Sequence, residues 1–261
     1  MPLGIFIDAG HGLSASGAED NGASVPTTNE RKEVIEVAQE LTDRLHLDQD
    51  IELEVFPIGV AQRLSLVQKI KNINDIIKEK GWKREDALLV SIHMNFAADA
   101  GVRGVEGWYG KGKTPDFADV CIDEVSKATG IPKRKTNSSD KNRLGRLGIL
   151  DDINATSVLV ECGFLTNSLD DAIIENATLD DAYAIGLHRA IRIFLGLPAE
   201  HIASDGFLDV PNGSWFAEPV MRMLDAGVLK MPDDRLFHPE RPVTRAEMVT
   251  MLSRFSDFLE Q

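Results

Sequence analysis

Cysteine is nearly absent from this 261-residue chain: Cys121 and Cys162 are too few for a disulfide framework. No apolar run comes near the ~20 residues that cross a bilayer, since even the stretch 87–92 is short. The opening Met1-Pro-Leu-Gly-Ile-Phe-Ile-Asp8 has neither a basic segment nor a long apolar one, so no signal peptide is expected. Synthesis in the cytosol suits both facts. Positive charge is in deficit, with 28 Lys and Arg against 42 Asp and Glu and a net charge of −14. That balance excludes nucleic acid or anionic membrane as partners of the whole surface. Internal repeats and low-complexity tracts are missing as well. What is present, 43% hydrophobic and 27% charged residues, is ordinary for a soluble globular protein and excludes disordered and fibrous classes.

The first 197 residues alternate short apolar runs with amphipathic stretches. Residues 3–7 read as a buried strand, followed by a polar, glycine-rich loop over 10–29. Val34, Val37, Ala38, Leu41 and Leu45 have helical spacing, as do Val67, Ile70, Ile73 and Ile77, with Gly81 as a stop. Residues 51–56, 87–93, 104–109 and 157–161 read as strands, 117–128 as a helix, and two helices are expected within 169–195. This alternation predicts an α/β fold, a twisted, mostly parallel sheet flanked by helices. Pro198 and Gly206 bracket an expected linker, 198–205, before a small helical domain over 206–261 with helices near 215–226 and 244–258.

Polar residues at strand ends are the informative pattern. Asp8-Ala-Gly-His11, Ser91-Ile-His93 and Leu159-Val-Glu161 each close an apolar strand, and binding crevices of open parallel sheets lie beyond the carboxyl ends of strands. Glu30 opens the first helix and joins that edge if the connection is local. Two imidazoles and one carboxylate are the protein ligands of a catalytic zinc site, with a fourth position left for water. A further carboxylate could shuttle the proton. Taken alone, His11 also fits a solvated turn, His93 a satisfied core histidine, and Glu30 a carboxylate answering the helix dipole. Glu161 resists such a reading, because a carboxylate in the setting Val158-Leu-Val-Glu-Cys-Gly-Phe164 is costly to bury unless paired or neutral. A raised pKa there suits proton transfer to a leaving amine. His46, His188, His201 and His238 are assigned to surface or packing, and Cys162 to a small buried hydrophobe.

Ile7-Asp-Ala-Gly-His-Gly12, Glu30, Ser91-Ile-His-Met-Asn95 and Leu159-Val-Glu-Cys-Gly-Phe164 with Asn167 occur in that order. The set resembles the zinc-dependent N-acetylmuramoyl-L-alanine amidases of the amidase 3 type over nearly all of residues 3–197, including Gly104-Val-Glu-Gly-Trp-Tyr109. The resemblance implies cleavage of the amide between the lactyl group of N-acetylmuramic acid and the L-alanine of the peptidoglycan stem peptide. It also implies that His11, Glu30 and His93 hold zinc and that Glu161 is the catalytic carboxylate. Glu30 is preferred over Glu19, Glu33 and Glu36 because it stands eight residues before Ala38, the family spacing. The segment 13–29 departs from the family's Gly-Gly-x-Asp-x-Gly-Ala form and is longer than usual. The family's Leu-x-x-Arg-x-x-x-Ala-Asn helix reads here as Leu66-x-x-Lys69-x-x-x-Ile73-Asn74. Asn95 and Asn167 are expected to orient substrate or Glu161. In the basic stretch 132–146, Lys133, Arg143 and Arg146 are candidates to grip stem-peptide carboxylates, if it is not simply a solvated face.

Phe207-Leu-Asp-Val-Pro211, Trp215, Phe237-His-Pro239 and Val243-Thr-Arg-Ala-Glu247 resemble one S-layer homology repeat. That resemblance implies secondary cell-wall polysaccharide as partner, with Trp215 and Arg245 as wall-binding candidates, although Trp215 and Phe207 also suit the module's core. A single copy instead suggests self-association into a homodimer. Together these features resemble those of a phage endolysin, which implies a protein held in the host cytoplasm and released onto the wall. The rivals are a non-catalytic wall-binding protein on a degenerate amidase fold and a zinc carboxypeptidase acting on the stem peptide.

Overall fold

The computed structural model describes residues 3–48, 50–143, 145–174, 180–199, 207, 209–210, 216–230, 232 and 236–259. Trp215, His201 and most of the expected linker lie outside them. The chain divides into two compact units, Met1–Glu200 and His201–Gln261.

The first unit begins with β1 (Gly4–Ala9), the short strands β2 (Gly12–Leu13) and β3 (Glu19–Asp20), α1 (Glu30–Leu47), β4 (Glu54–Ile58) and α2 (Leu66–Lys80). It continues through β5 (Ala87–Asn95), β6 (Val105–Tyr109), α3 (Asp116–Thr129), β7 (Lys133–Ser138) and α4 (Gly148–Asp151). It ends with β8 (Thr156–Phe164), α5 (Ser168–Ile174) and α6 (Asp180–Phe194). Six strands form one sheet in the order β4-β1-β5-β8-β6-β7, parallel at every junction except β6 against β8. The sheet is mostly parallel and flanked by helices, as the alternation predicts. β4 starts three residues later than its apolar alternation suggests, because pairing with β1 aligns Glu54 with Gly4 and Ile58 with Asp8. Pro57 is tolerated there because β4 is an edge strand. Three features go beyond the sequence reading, one of them the short helix α4. The basic stretch opens as the edge strand β7 rather than a loop, and the glycine-rich loop contains the β2–β3 hairpin.

The period of two along each strand gives the sheet unlike faces. One side is apolar throughout: Ile5, Ile7, Val90, Ile92, Val158 and Val160 pack against Leu41 of α1, Ile122 of α3 and Leu187 of α6. The opposite side is apolar only toward the amino ends of the parallel strands, where Phe6, Leu89 and Leu159 meet Ile73 of α2 and Leu150 of α4. Two residues further along β1, β5 and β8 the same side carries Asp8, Ser91 and Glu161, and β5 continues to His93. Burying each large aliphatic side chain contributes ~1.5–3 kcal/mol, so the continuous face stabilises the fold and frees the other to turn polar.

Far from that polar edge, α1 is tied to α6. The buried Asp48 carboxylate beyond α1 meets His188 at 2.7 Å and Arg192 at 2.5 Å, and Arg192 also reaches Asp50 and the Pro198 carbonyl. His188 thus belongs to packing, as expected.

The second unit contains α7 (Ala217–Asp225) and α8 (Arg245–Leu259). Phe207, Val210 and Val220 form its small core, so Phe207 serves packing. Asp209 accepts the amides of Phe237 and His238 at 2.6 Å each. The Thr-Arg-Ala-Glu signature is a capping box: Thr244 Oγ1 accepts the Glu247 amide, and Glu247 accepts the Thr244 amide. Among the described residues no helix is long and apolar enough to cross a membrane.

Burial alone would raise the pKa of Asp48, but its His188 and Arg192 hydrogen bonds outweigh burial and hold it well below the usual carboxylate range. A depressed carboxylate contributes stability that is present above its unfolded value and lost as pH falls through its folded one. Burial lowers the pKa of His188, so acidification through the ordinary histidine range also favours the unfolded chain. Unfolding free energy from urea melts should therefore fall from neutral to acid pH. Asp48→Asn should cost about 3 kcal/mol at pH 7 and flatten that slope, since it removes the buried charge that His188 and Arg192 share.

Candidate metal centre

Ala9 and Gly10 end β1 under tight restraint. Arg31 donates to the carbonyls of Ala9 and Gly10 at 3.1 and 2.9 Å and also to that of Gly59. Lys69, buried on α2, pairs with Asp8 at 2.7 Å and also donates to the Ala9 carbonyl. Ser91 Oγ donates to the other Asp8 oxygen at 2.7 Å. Lys69 occupies the position of the family's helix arginine, so its charge is kept where the sequence match looks loose. With the two preceding carbonyls held, His11 adopts φ 60°, a left-handed conformation that a non-glycine residue takes only under constraint.

Glu30 lies in the first turn of α1, whose N-cap is Asn29, and the helix dipole favours a carboxylate there. Its buried carboxylate accepts the backbone amides of Ala23 at 2.9 Å and Met94 at 3.0 Å. Oε2 stands 2.9 Å from His11 Nε2, and Oε1 stands 2.8 Å from His93 Nδ1. The two rings meet edge to face with centroids 5.0 Å apart. One ligand atom from each of His11, Glu30 and His93 lies within 4.8 Å of the other two. Atoms bound ~2 Å from a shared ion stand about 3–4 Å apart, so the cluster needs only a small contraction. His11 Nε2 is shut away from solvent and faces the Glu30 carboxylate, the placement of a ligand atom beside a shared cation. Two imidazoles and a carboxylate match a borderline transition ion such as Zn2+.

Burial alone would lower the pKa of His11, but Glu30, with help from Asp20, turns the net shift upward. Burial would raise Glu30, yet its hydrogen bonds to His11 and His93 drive it far below the usual range. Each charged form is thus favoured by its neighbour.

The sheet register sets the next carboxylates. His93 pairs with Glu161 on β8, and Glu161 pairs with Glu106 on β6, giving a lateral row across three strands. Glu161 Oε2 is shut away from solvent and has no hydrogen-bond partner among the described residues. Burial first, then the Glu30 and Glu106 charges, pushes the Glu161 carboxyl well above its ordinary pKa. Glu106 is held by Arg134 at 2.6 Å and by Asn95 at 3.2 Å, and the Arg134 guanidinium lies over the Phe164 ring.

The structure therefore brings together His11, Glu30, His93 and Glu161, with Asn95 one residue past a register shift in β5. It does not bring Asn167 to them. That amide bonds the Ala100 carbonyl and the first amides of α5, a structural role in place of the expected orienting one. Lys133 and Arg146 are engaged by Asp123 and Asp152, and Arg143 is exposed. The cation beside the carboxylate row is Arg134, which the basic stretch contained but spacing did not single out. Asp20 was also missed. Its carboxylate lies 3.1 Å from His11 Nδ1, and Asp20-Asn-Gly-Ala23 carries the Asp-x-Gly-Ala end of the family form, displaced by the β2–β3 hairpin.

Fold and cluster together define an α/β domain, a mostly parallel sheet flanked by helices, with a candidate metal centre at the carboxyl edge of that sheet. The chain belongs to the N-acetylmuramoyl-L-alanine amidase family, which it matches over residues 5–192, and it carries an S-layer homology domain over residues 206–249. It is accordingly a peptidoglycan amidase, of a family that is typically metal-dependent. The catalytic domain of the amidase CwlV from Bacillus (Paenibacillus) polymyxa var. colistinus is similar, at 24% identity and TM-score 0.61, over 76% of this chain and 99% of that one. An amidase from Clostridium difficile 630 is similar at 22% identity and TM-score 0.61, over 75% of this chain and 97% of that one. The catalytic domain of an endolysin targeting Clostridia difficile is similar at 20% identity and TM-score 0.56, over 75% of this chain and 98% of that one. At these identities the likeness concerns the fold. No curated protein matches the chain significantly.

Gly22, at φ 67°, packs against the cluster: a Cβ there would stand 2.5 Å from Glu30 Oε2 and 2.6 Å from His11 Nε2. Gly22→Ala should weaken zinc binding at least about tenfold in chelator competition, the scale on which misplaced ligands lose metal. Gly17→Ala, at a comparable φ of 84° but in open space, should leave zinc affinity near that of the unaltered chain.

Proposed function

We propose that residues 1–197 hydrolyse the lactyl–L-alanine amide of peptidoglycan at a zinc centre held by His11, Glu30 and His93, with Glu161 moving the proton. The observation that carries this reading is the convergence of those three ligands beside a half-buried carboxylate on the adjacent strand, whose shielded Oε2 has no hydrogen-bond partner among the described residues. Bound zinc would supply a Lewis acid and lower the pKa of a water toward 7. Glu161 takes the proton of the attacking water and hands it to the departing L-alanine amine. Its raised pKa suits the second half of that task, since a buried carboxyl beside other carboxylates holds a proton until a better base arrives. Asn95 and Arg134 flank Glu161 through Glu106 and are suited to align the substrate; Lys133, Arg143 and Arg146 are suited to a charged outer rim.

Residues 206–261, beyond a linker at 198–205, tether the enzyme. A chain with net charge −14 gains nothing from non-specific attraction to an anionic wall, so a module with its own ligand has to supply the affinity. Arg245, exposed at the start of α8, is the described candidate for secondary wall polysaccharide. Met248, Val249, Leu252 and Phe258 are exposed along the same helix, an apolar surface suited to a second copy of the chain. A wall amidase joined to a wall-binding module is the make-up of a lytic enzyme, and we read the chain as one of phage origin, made in the host and released onto the wall.

Two experiments test the reading. Glu161→Gln should retain zinc and lower turnover of labelled peptidoglycan by about 10²–10⁴-fold. Mass spectrometry of digested sacculi should find free lactyl groups and intact stem peptides, whereas shortened stem peptides mean a carboxypeptidase. For the tether, Arg245→Ala should reduce sedimentation with sacculi, and Leu252→Asp should shift the light-scattering mass from dimer to monomer.

A further inference from the structure

We infer that Asp20 is a positioning residue for the metal centre, acting through His11; the inference rests on the zinc reading above. The hairpin that carries it is built around the ligands. β2 and β3 pair Gly12 with Asp20, folding the chain back so that the Asp20 carboxylate returns to the ring of the histidine that precedes β2. Asp20 Oδ1 meets His11 Nδ1 at 3.1 Å and accepts the Gly22 amide, also at 3.1 Å. The next residue, Ala23, donates its amide to Glu30 Oε2 and accepts the Glu30 amide with its carbonyl. One turn therefore touches two of the three ligands. Its outer side is fastened too: Arg63 donates to Asn21 at 3.0 Å, and the Leu13 amide donates to the Leu64 carbonyl at 3.1 Å.

The chemical consequence concerns which ring nitrogen bears the proton. An ionised carboxylate only accepts, so His11 Nδ1 has to donate to Asp20. A metal-binding imidazole is neutral, so with the proton on Nδ1 its lone pair lies on Nε2, the buried atom that faces Glu30. A carboxylate on the far nitrogen of a metal-binding imidazole fixes tautomer and ring orientation and raises ligand basicity. In this chain it also steadies a ligand whose backbone is in the left-handed region.

The test measures zinc dissociation constants of the full chain by chelator competition, with 15N-histidine spectra of the zinc-loaded protein. Asp20→Ala should weaken zinc about 10–100-fold and Asp20→Asn, which keeps an acceptor, by less. The His11 ring nitrogen signals should move in both variants while those of His93 stay in place. Zinc affinity within twofold of the unaltered chain in Asp20→Ala overturns the inference. Equal displacement of His11 and His93 signals also overturns it, because the hairpin would then support the site only generally. If the unaltered chain itself takes no zinc, the metal-centre reading falls and this inference with it. The two failures are thereby distinguishable.

Discussion

One buried carboxylate organises the active edge of this enzyme. Glu30 contributes an oxygen to each of two imidazoles, one just beyond β1 and one on the neighbouring β5, more than eighty residues apart in sequence, and it also receives two backbone amides. Withdrawing an anion from water is expensive, and only such dense compensation makes it tolerable. The constraint propagates outward. The first turn of α1 must face β5, the chain after β1 must double back, and the segment between them must place an amide at position 23. Arg31 and Lys69 hold the carbonyls that set the path of this turn, so the positively charged underside is as much a part of the site as the ligands.

The unequal faces of the sheet explain how one domain carries such a site without losing its fold. Stability is concentrated on the side packed by α1, α3 and α6, where apolar residues run the length of β1, β5 and β8. The other side gives up its apolar character two residues beyond Phe6, Leu89 and Leu159. Antiparallel β6 then meets the edge amino end first, which is why Glu106 joins the row while Trp108 packs at the apolar end.

Most of this was legible in the sequence, because burial periodicity and strand-end polarity are strong local signals. The longer helices of the first unit and the strands β1, β4, β5, β6 and β8 were readable from apolar spacing, and the ligand set from motif order. What escaped depended on pairing across distance. β7 carries Lys133, Arg134 and Lys135 in its first half, so it lacks an apolar run and is a strand only because β6 offers it a free edge. The β2–β3 hairpin has two residues per strand, too few for any periodicity. Asn167, part of the family motif, was expected to orient substrate or Glu161, yet its side-chain oxygen accepts the amides that start α5. Asp20 was concealed by an insertion that shifted a familiar motif away from the histidine it serves.

The left-handed backbone at His11 has an evolutionary implication. Glycine or asparagine would occupy that conformation with less strain, so a lineage selected for robustness alone would drift toward discarding its own ligand. Position 11 thus sets backbone comfort against metal affinity, and any replacement that relaxes the turn forfeits a ligand.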